Sequence, residues 1–264
     1  MTTTAGYAYD TDTASTRVGE HEYALELSRR WYTPANTANG GYLLATALQA
    51  LRQEIPHPDL IAASAHFLRP GTAGPARITT ETVRIGRRTA TGQAALFREG
   101  REILRVLATF SDLAAAEGPT AIIGAPPVLP PPQECVNPIV DPMPGIAERV
   151  EFRMPRLPGF LRGEPGGTAV VEFWMRFADG RDADPIALAL LVDAAMPAVF
   201  DLGTVPASST IELTAHIRRR PAPGWLACRV GTRFLIDGFH EEDFEMWDST
   251  GAPVAQSRQL SLIP

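Results

Sequence analysis

The sequence contains no lysine: the 24 residues counted as Lys or Arg are all arginine. A Walker A loop needs its lysine, a PLP enzyme its Schiff-base lysine and a protein kinase its strand lysine, so all three chemistries are excluded. Cysteine is scarce, with Cys135 and Cys228 alone. Two distant thiols make neither a disulfide framework nor a metal cluster, and each is expected to be free, as in a reducing compartment. No G-x-G and no G-x-S-x-G occurs, so the dinucleotide fingerprint and the nucleophile elbow are absent. A net charge of −6 with a pI near 5.4 gives no broad basic field, which disfavours nucleic acid as a partner. Long apolar runs are missing too. The longest, Ile186 to Phe200, is interrupted by Asp193 and Pro197 and is too short to span a bilayer. The first residues, MTTTAGYAYDTDTAS, have neither a cationic start nor an apolar core and do not read as a secretory signal. A cytoplasmic protein without a membrane partner is expected.

What is present is first of all proline. Nine prolines fall among residues 119–144, too many for a helix or a central strand, and the segment reads as an extended linker. It separates residues 1–118 from residues 145–264, two parts of comparable length whose patterns match. In the first, Asn39 caps a helix running from Gly40 to Glu54, stopped by Pro56, with Leu43, Leu44, Ala47, Leu48 and Leu51 at helical spacing. In the second, Asp184-Pro185 opens a helix predicted over Ile186 to Phe200. Alternating runs follow each helix: Ile61–Leu68, Ala76–Ile85, Thr89–Arg98 and Glu102–Asp112, then Thr210–Ile217, Leu226–Ile236, Glu241–Trp247 and Pro253–Ile263. Further strands precede the helices at His21–Tyr32, Arg149–Arg153 and Ala169–Ala178. Arg69-Pro70 and Arg220-Pro221 are offset by 151 residues, and so are Gly100 and Gly251. One helix followed by a run of strands, twice, predicts an α+β fold with each sheet wrapped around its helix.

The most informative single residue is Asp193. It lies in an apolar stretch where an unpaired carboxylate is costly to bury, so it is paired or faces a cleft with a pKa raised toward general-base work. Pro197 cannot donate to the carbonyl of residue 193, so the helix should kink or end there. Under the 151-residue offset, Asp193 falls opposite Tyr42 and Gln259 opposite Ala108, which leaves the polar residues in the second half alone. Gly40-Gly41 leaves helix-start N–H groups bare, suited either to an oxyanion or to close packing. His66, between Ala65 and Phe67, reads as a core histidine. Arg218-Arg219-Arg220 reads as a solvated edge. His240-Glu241-Glu242 lacks the second His of a zinc site, and no metal is expected.

Three segments together resemble the N-terminal hotdog of acyl-CoA thioesterase II-like proteins: Asn39-Gly40-Gly41-Tyr42-Leu43-Leu44, His66-Phe67-Leu68-Arg69-Pro70-Gly71 and Ala108-Thr109-Phe110. Asp193, Thr210-Ile211-Glu212 and the hairpin from Gly251 to Gln259 resemble the C-terminal one. The resemblance implies a double hotdog, two tandem units each with a central helix wrapped by an antiparallel sheet. It also implies hydrolysis of a fatty acyl-CoA by an activated water. Its Asp, Thr and Gln fall on Asp193, Thr210 and Gln259, with Thr214 or Ser209 as alternatives for the hydroxyl. Asn39, Gly40, Gly41 and His66 are the expected substrate and oxyanion contacts. No cofactor is implied, because coenzyme A is part of the substrate, and open sheet edges imply a homo-oligomer. The alternatives are a hotdog hydratase or dehydratase using His66, and a non-catalytic acyl-CoA or lipid-binding module.

Overall fold

The computed structural model describes residues 6–139, 145–203 and 207–263. It begins with a short helix, α1 (Ala8–Asp12), and a hairpin of β1 (Thr16–Gly19) and β2 (Glu22–Leu27). Neither α1 nor β1 was expected. The strand predicted over His21–Tyr32 stops at Leu27, where Ser28 Oγ accepts from Arg30 N at 3.2 Å and starts a 3-10 turn. Then come α2 (Gly40–Arg52), β3 (Asp59–Phe67), β4 (Gly74–Ile85), β5 (Thr89–Arg98) and β6 (Arg101–Ser111). After the proline-rich segment follow β7 (Val150–Arg153), β8 (Val170–Phe177), α3 (Pro185–Leu191), β9 (Ser209–Ile217), β10 (Leu226–Gly231), β11 (Leu235–Ile236), β12 (Phe239–Trp247) and β13 (Pro253–Leu262).

Twelve strands form one antiparallel path, β1-β2-β4-β5-β6-β3-β9-β13-β12-β10-β8-β7, with β11 on the side of β12. The path crosses from the first half of the chain to the second at a single pairing, β3 with β9, where Ala63 faces Ala215 and Ser64 faces Thr214. α2 packs against α3 and against β4, β5 and β6, while α3 lies over β3 and β9, across that pairing. A helix apolar all round belongs in an interior, and α2 is buried along nearly its whole length. Its buried hydroxyls are satisfied: Thr46 Oγ1 donates back to Leu43 O at 2.7 Å, and Tyr42 OH donates to Asp12 O at 3.0 Å.

α1 joins elements far apart in sequence. Arg181, just before α3, lies 4.3 Å over the Tyr9 ring and pairs with Asp10 and Asp184. On the other side, Asp12 Oδ2 accepts from Trp31 Nε1 at 2.8 Å, and Trp31 stacks on Tyr42 of α2. Arg181→Ala removes a partly desolvated cation–π contact and two carboxylate partners, an expected loss of about 2 kcal/mol. Urea unfolding is the measurement, and a midpoint unchanged from wild type would show that α1 is not a strap.

Four expectations need correction. The predicted strand over Leu226–Ile236 is two strands, because the chain leaves the ladder after Gly231 and returns through a tight turn with Asp237 and Gly238 at positive φ. The second helix ends at Leu191 rather than Phe200, and a separate 3-10 turn occupies Ala198–Leu202. The offset of 151 holds at the hairpin glycines, Gly100 at φ 72° and Gly251 at φ 79°. It fails at the helices, whose caps Asn39 and Asp184 are 145 residues apart, so Asp193 does not correspond to Tyr42. The described part of the proline segment is also more than a spacer. Trp174 Nε1 donates to Pro130 O at 2.8 Å and Val136 bridges to Met154, which lays the segment against the second half. Residues 140–144 of that segment lie outside the described residues. Cys135 and Cys228 are free and buried.

Candidate active site

The turn that ends α3 carries Asp193. After Leu191 the bonds shorten to the 3-10 pattern, with Asp193 N donating to Leu190 O and Ala194 N to Leu191 O, both at 3.1 Å. Continuation is blocked by Pro197, which has no N–H to return to residue 193. Asp193 therefore projects from a helix end, not from the helix middle. It meets the N-terminus of α2.

There the carboxylate is held through one oxygen. Asp193 Oδ2 accepts from Gly41 N at 2.6 Å and from Asn39 Nδ2 at 3.1 Å, and the same Nδ2 donates to Asp193 O at 2.8 Å. Asn39 Oδ1 meanwhile accepts from Tyr42 N at 3.0 Å, so one side chain caps α2 and clasps the α3 turn. Asp193 Oδ1 receives no hydrogen bond from any described residue and is not among the sealed-off polar atoms. Burial raises the Asp193 pKa to about 7, against the lowering effect of Gly41 N–H and the Asn39 amide. The residue keeps some accessible surface, as a base that must reach a water requires.

Both glycines are demanded by this contact. A Cβ on Gly41 would sit 2.4 Å from Leu190 O, and one on Gly40 would sit 2.9 Å from Asp193 Oδ2 and from Phe67 Cε1. Close packing thus accounts for the pair, between helix and helix. Gly41 N–H is committed to Asp193, which corrects the expectation that both N–H groups are bare.

The second polar group lies on the inner face of β9, β12 and β13. Thr210 Oγ1 donates to Gln259 Oε1 at 3.1 Å, Gln259 Nε2 donates to Glu242 Oε1 at 2.9 Å, and Glu242 Oε2 accepts from Ala198 N at 2.8 Å. Ala198 closes the turn that begins at Asp193, so one loop touches both groups. Glu242 has its pKa raised to about 8, first by burial and further by the charge of Asp193. Asp193 and Gln259 are not hydrogen-bonded to each other among the described residues.

The strand geometry separates the three hydroxyl candidates. Thr214 lies on the outer face, where its Oγ1 donates to Glu212 Oε1 at 2.5 Å and meets Ser64 Oγ at 3.0 Å. An irregularity opposite Leu260 and Ser261 shifts the alternation, and Thr210 is turned inward opposite buried Ser261. Ser209 pairs with Leu262 and is exposed. His66 is not a core histidine and is not at this site. Ala65 is buried and the Phe67 ring packs at Gly40, so strand alternation turns the exposed His66 to the opposite face, across from Arg105 and Glu212.

Glu242 was missed, although its position was readable. Along β12, His240, Glu242, Phe244 and Met246 are buried in alternation, so Glu242 has the parity of the apolar Phe244 and Met246. Its neighbours Asp243 and Glu245 face outward to Arg258 and Arg229. Arg220 is not only solvated: its Nε lies 2.8 Å from the buried carboxylate of Asp59, at the start of β3. Among the described residues, no three His, Cys, Asp or Glu side chains are grouped to hold a metal ion. No described helix is long and apolar enough to cross a membrane.

Comparison with known proteins gives a consistent result. Residues 27–111 match the family model of the acyl-CoA thioesterase N-terminal domain, and residues 123–263 match that of the acyl-CoA thioesterase C-terminal domain. A structure from Thermobifida fusca described as a proposed thioesterase II is 35% identical, with 98% of each chain covered and a TM-score of 0.89. An acyl-CoA thioesterase II from Mycobacterium marinum is 19% identical, covers 97% of this chain and 98% of its own, and has a TM-score of 0.75. A hot dog fold protein of unknown function from Alicyclobacillus acidocaldarius is 23% identical, with 98% and 99% covered and a TM-score of 0.87. At such identities the last two show the fold alone. An uncharacterized protein of Mycobacterium tuberculosis is 27% identical over 267 residues, 90% of each chain.

Proposed function

We propose that this chain, which belongs to the acyl-CoA thioesterase family and has its α+β hotdog fold, hydrolyses acyl-CoA thioesters with a water activated by Asp193. The observation that carries the proposal is the half-held carboxylate. One oxygen of Asp193 is fixed by a helix N-terminus, the other is unclaimed, and the pKa stands at about 7. A base poised near neutral pH can take a proton from water and later return it.

The steps follow from the residues. Water sits between Asp193 Oδ1 and the Gln259–Thr210 pair, and loses a proton to Asp193 as its oxygen attacks the thioester carbonyl. The charge that develops on the carbonyl oxygen is received by Gly40 N–H, the donor at that helix start which no described acceptor claims. Collapse of the adduct breaks the C–S bond, and the proton on Asp193 passes to the departing thiolate. The products are a free acid and coenzyme A. The chemistry asks nothing of a cofactor.

We also read the chain as two tandem units. The sheet order supports this: outward from the central pairing, β3-β6-β5-β4-β2 and β9-β13-β12-β10-β8 take corresponding places. The exposed strand β1 leaves an unpaired edge, which supports pairing between copies.

The experiment is thiol release from a panel of acyl-CoA esters, followed across pH. Because Asp193 must be ionised to act, log(kcat/KM) should rise with unit slope below about pH 7 and level above it. Turnover that is flat from pH 5.5 to 8 would remove Asp193 as the base.

A further inference from the structure

Gln259 can place its amide in two ways of nearly identical shape, and only one leaves its oxygen toward Thr210. We infer that Glu242 is a positioning residue that fixes which way round the Gln259 amide sits. Above its pKa of about 8 Glu242 is ionised, and an ionised carboxylate only accepts hydrogen bonds. Glu242 is held in place at Oε2 by Ala198 N, so the oxygen it turns to Gln259 can be met only by the NH2 end. The amide oxygen is then directed to Thr210, whose hydroxyl donates to it. With the amide reversed, two oxygens would face each other across the β12–β13 pair, where Glu242 and Gln259 stand directly opposite. Both residues are buried, at 4% and 6% exposure, so no solvent relieves that clash. In the fixed orientation Gln259 keeps one N–H and Thr210 keeps its oxygen lone pairs for the water, and both polarities are set by Glu242.

The variant Glu242→Gln separates orientation from packing. Ala198 N still needs an acceptor, so the new amide must turn its oxygen there and its NH2 to Gln259. Gln259 must then reverse and present its own NH2 to Thr210. Both arms are run at pH 9, where Glu242 is ionised. The inference rests on the thioesterase reading for its kinetic arm alone: kcat should fall about 10²-fold with KM within twofold, as for loss of one aimed polar contact. The structural arm is NMR of the Gln259 side-chain amide, identified by its absence in Gln259→Leu. Its protons should show stronger contacts to the Thr210 methyl in Glu242→Gln than in wild type. A folded variant with wild-type kcat overturns the inference, and so does a slow variant whose Gln259 amide is unmoved. If wild type releases no thiol from any ester, the thioesterase reading fails while the amide still decides the role of Glu242. If Glu242→Gln does not fold, Glu242→Asp keeps an acceptor-only group and should retain the wild-type amide contacts; a reversed amide there overturns the inference.

Discussion

Asp193→Asn is expected to slow thioester hydrolysis on the order of 10³-fold, with little change in KM. The amide oxygen of the substituted side chain can still accept from Gly41 N and Asn39 Nδ2, so the α2–α3 contact survives. What it presents to water is an NH2, which cannot take a proton. The same variant should be more stable than wild type at pH 8. The folded pKa of Asp193, about 7, lies above its unfolded value of 3.8. The protonated form is thus favoured by folding, a stabilisation complete below pH 4 and lost as pH rises through 7. The amide has no such dependence. The gap between variant and wild type should therefore open from pH 4 to 8 and reach about 2–4 kcal/mol. Thermal unfolding at pH 5 and pH 8 measures it, and an equal gap at both would contradict a buried, neutral-leaning Asp193.

Gly41→Ala should be strongly destabilising, at about 3 kcal/mol or more. Its added Cβ would lie 2.4 Å from Leu190 O and 3.0 Å from Leu190 Cα, backbone atoms of another helix that no rotamer can move. Either α2 and α3 separate or the Asp193–Gly41 bond breaks. Gly40→Ala presents a different case, since its nearest contacts are the Asp193 carboxylate and the Phe67 ring, both side-chain atoms. It should disturb turnover more than folding. Urea midpoints for the two variants, beside their rates, test the contrast, and a Gly41→Ala protein as stable as Gly40→Ala would refute the helix–helix contact.

Local signals in the sequence located most elements, and the exceptions have physical causes. α2 was readable because a cap, a one-sided leucine pattern and Pro56 all agree. β6 and β13 were readable because each follows a turn glycine in a left-handed conformation. The end of α3 was only half readable: Pro197 announced a kink or stop, but apolar residues continue to Phe200 and the helix already ends at Leu191. α1 was invisible because its stability comes from Arg181 and Asp179, 171 residues from their partners Asp10 and Ala8. At the site, Asp193 stood out as a charge in an apolar run. Thr210 could be separated from Thr214 only through the irregular pairing opposite Ser261. Glu242 was obscured by the acidic residues flanking it, and His66 was misplaced because an Ala-His-Phe triplet does not announce which parity faces in.

The clasp between Asn39 and Asp193 joins residues 154 apart in the chain. Contacts of that separation form only after the intervening loop has been closed, which places them among the late events of folding. The central β3–β9 pairing carries the same delay. In a refolding experiment, recovery of thioesterase turnover should therefore lag behind the return of strand signal from the locally connected hairpins. Catalysis here doubles as a clock for the last docking step, and a chain stalled before it would hold most of its sheet and none of its activity.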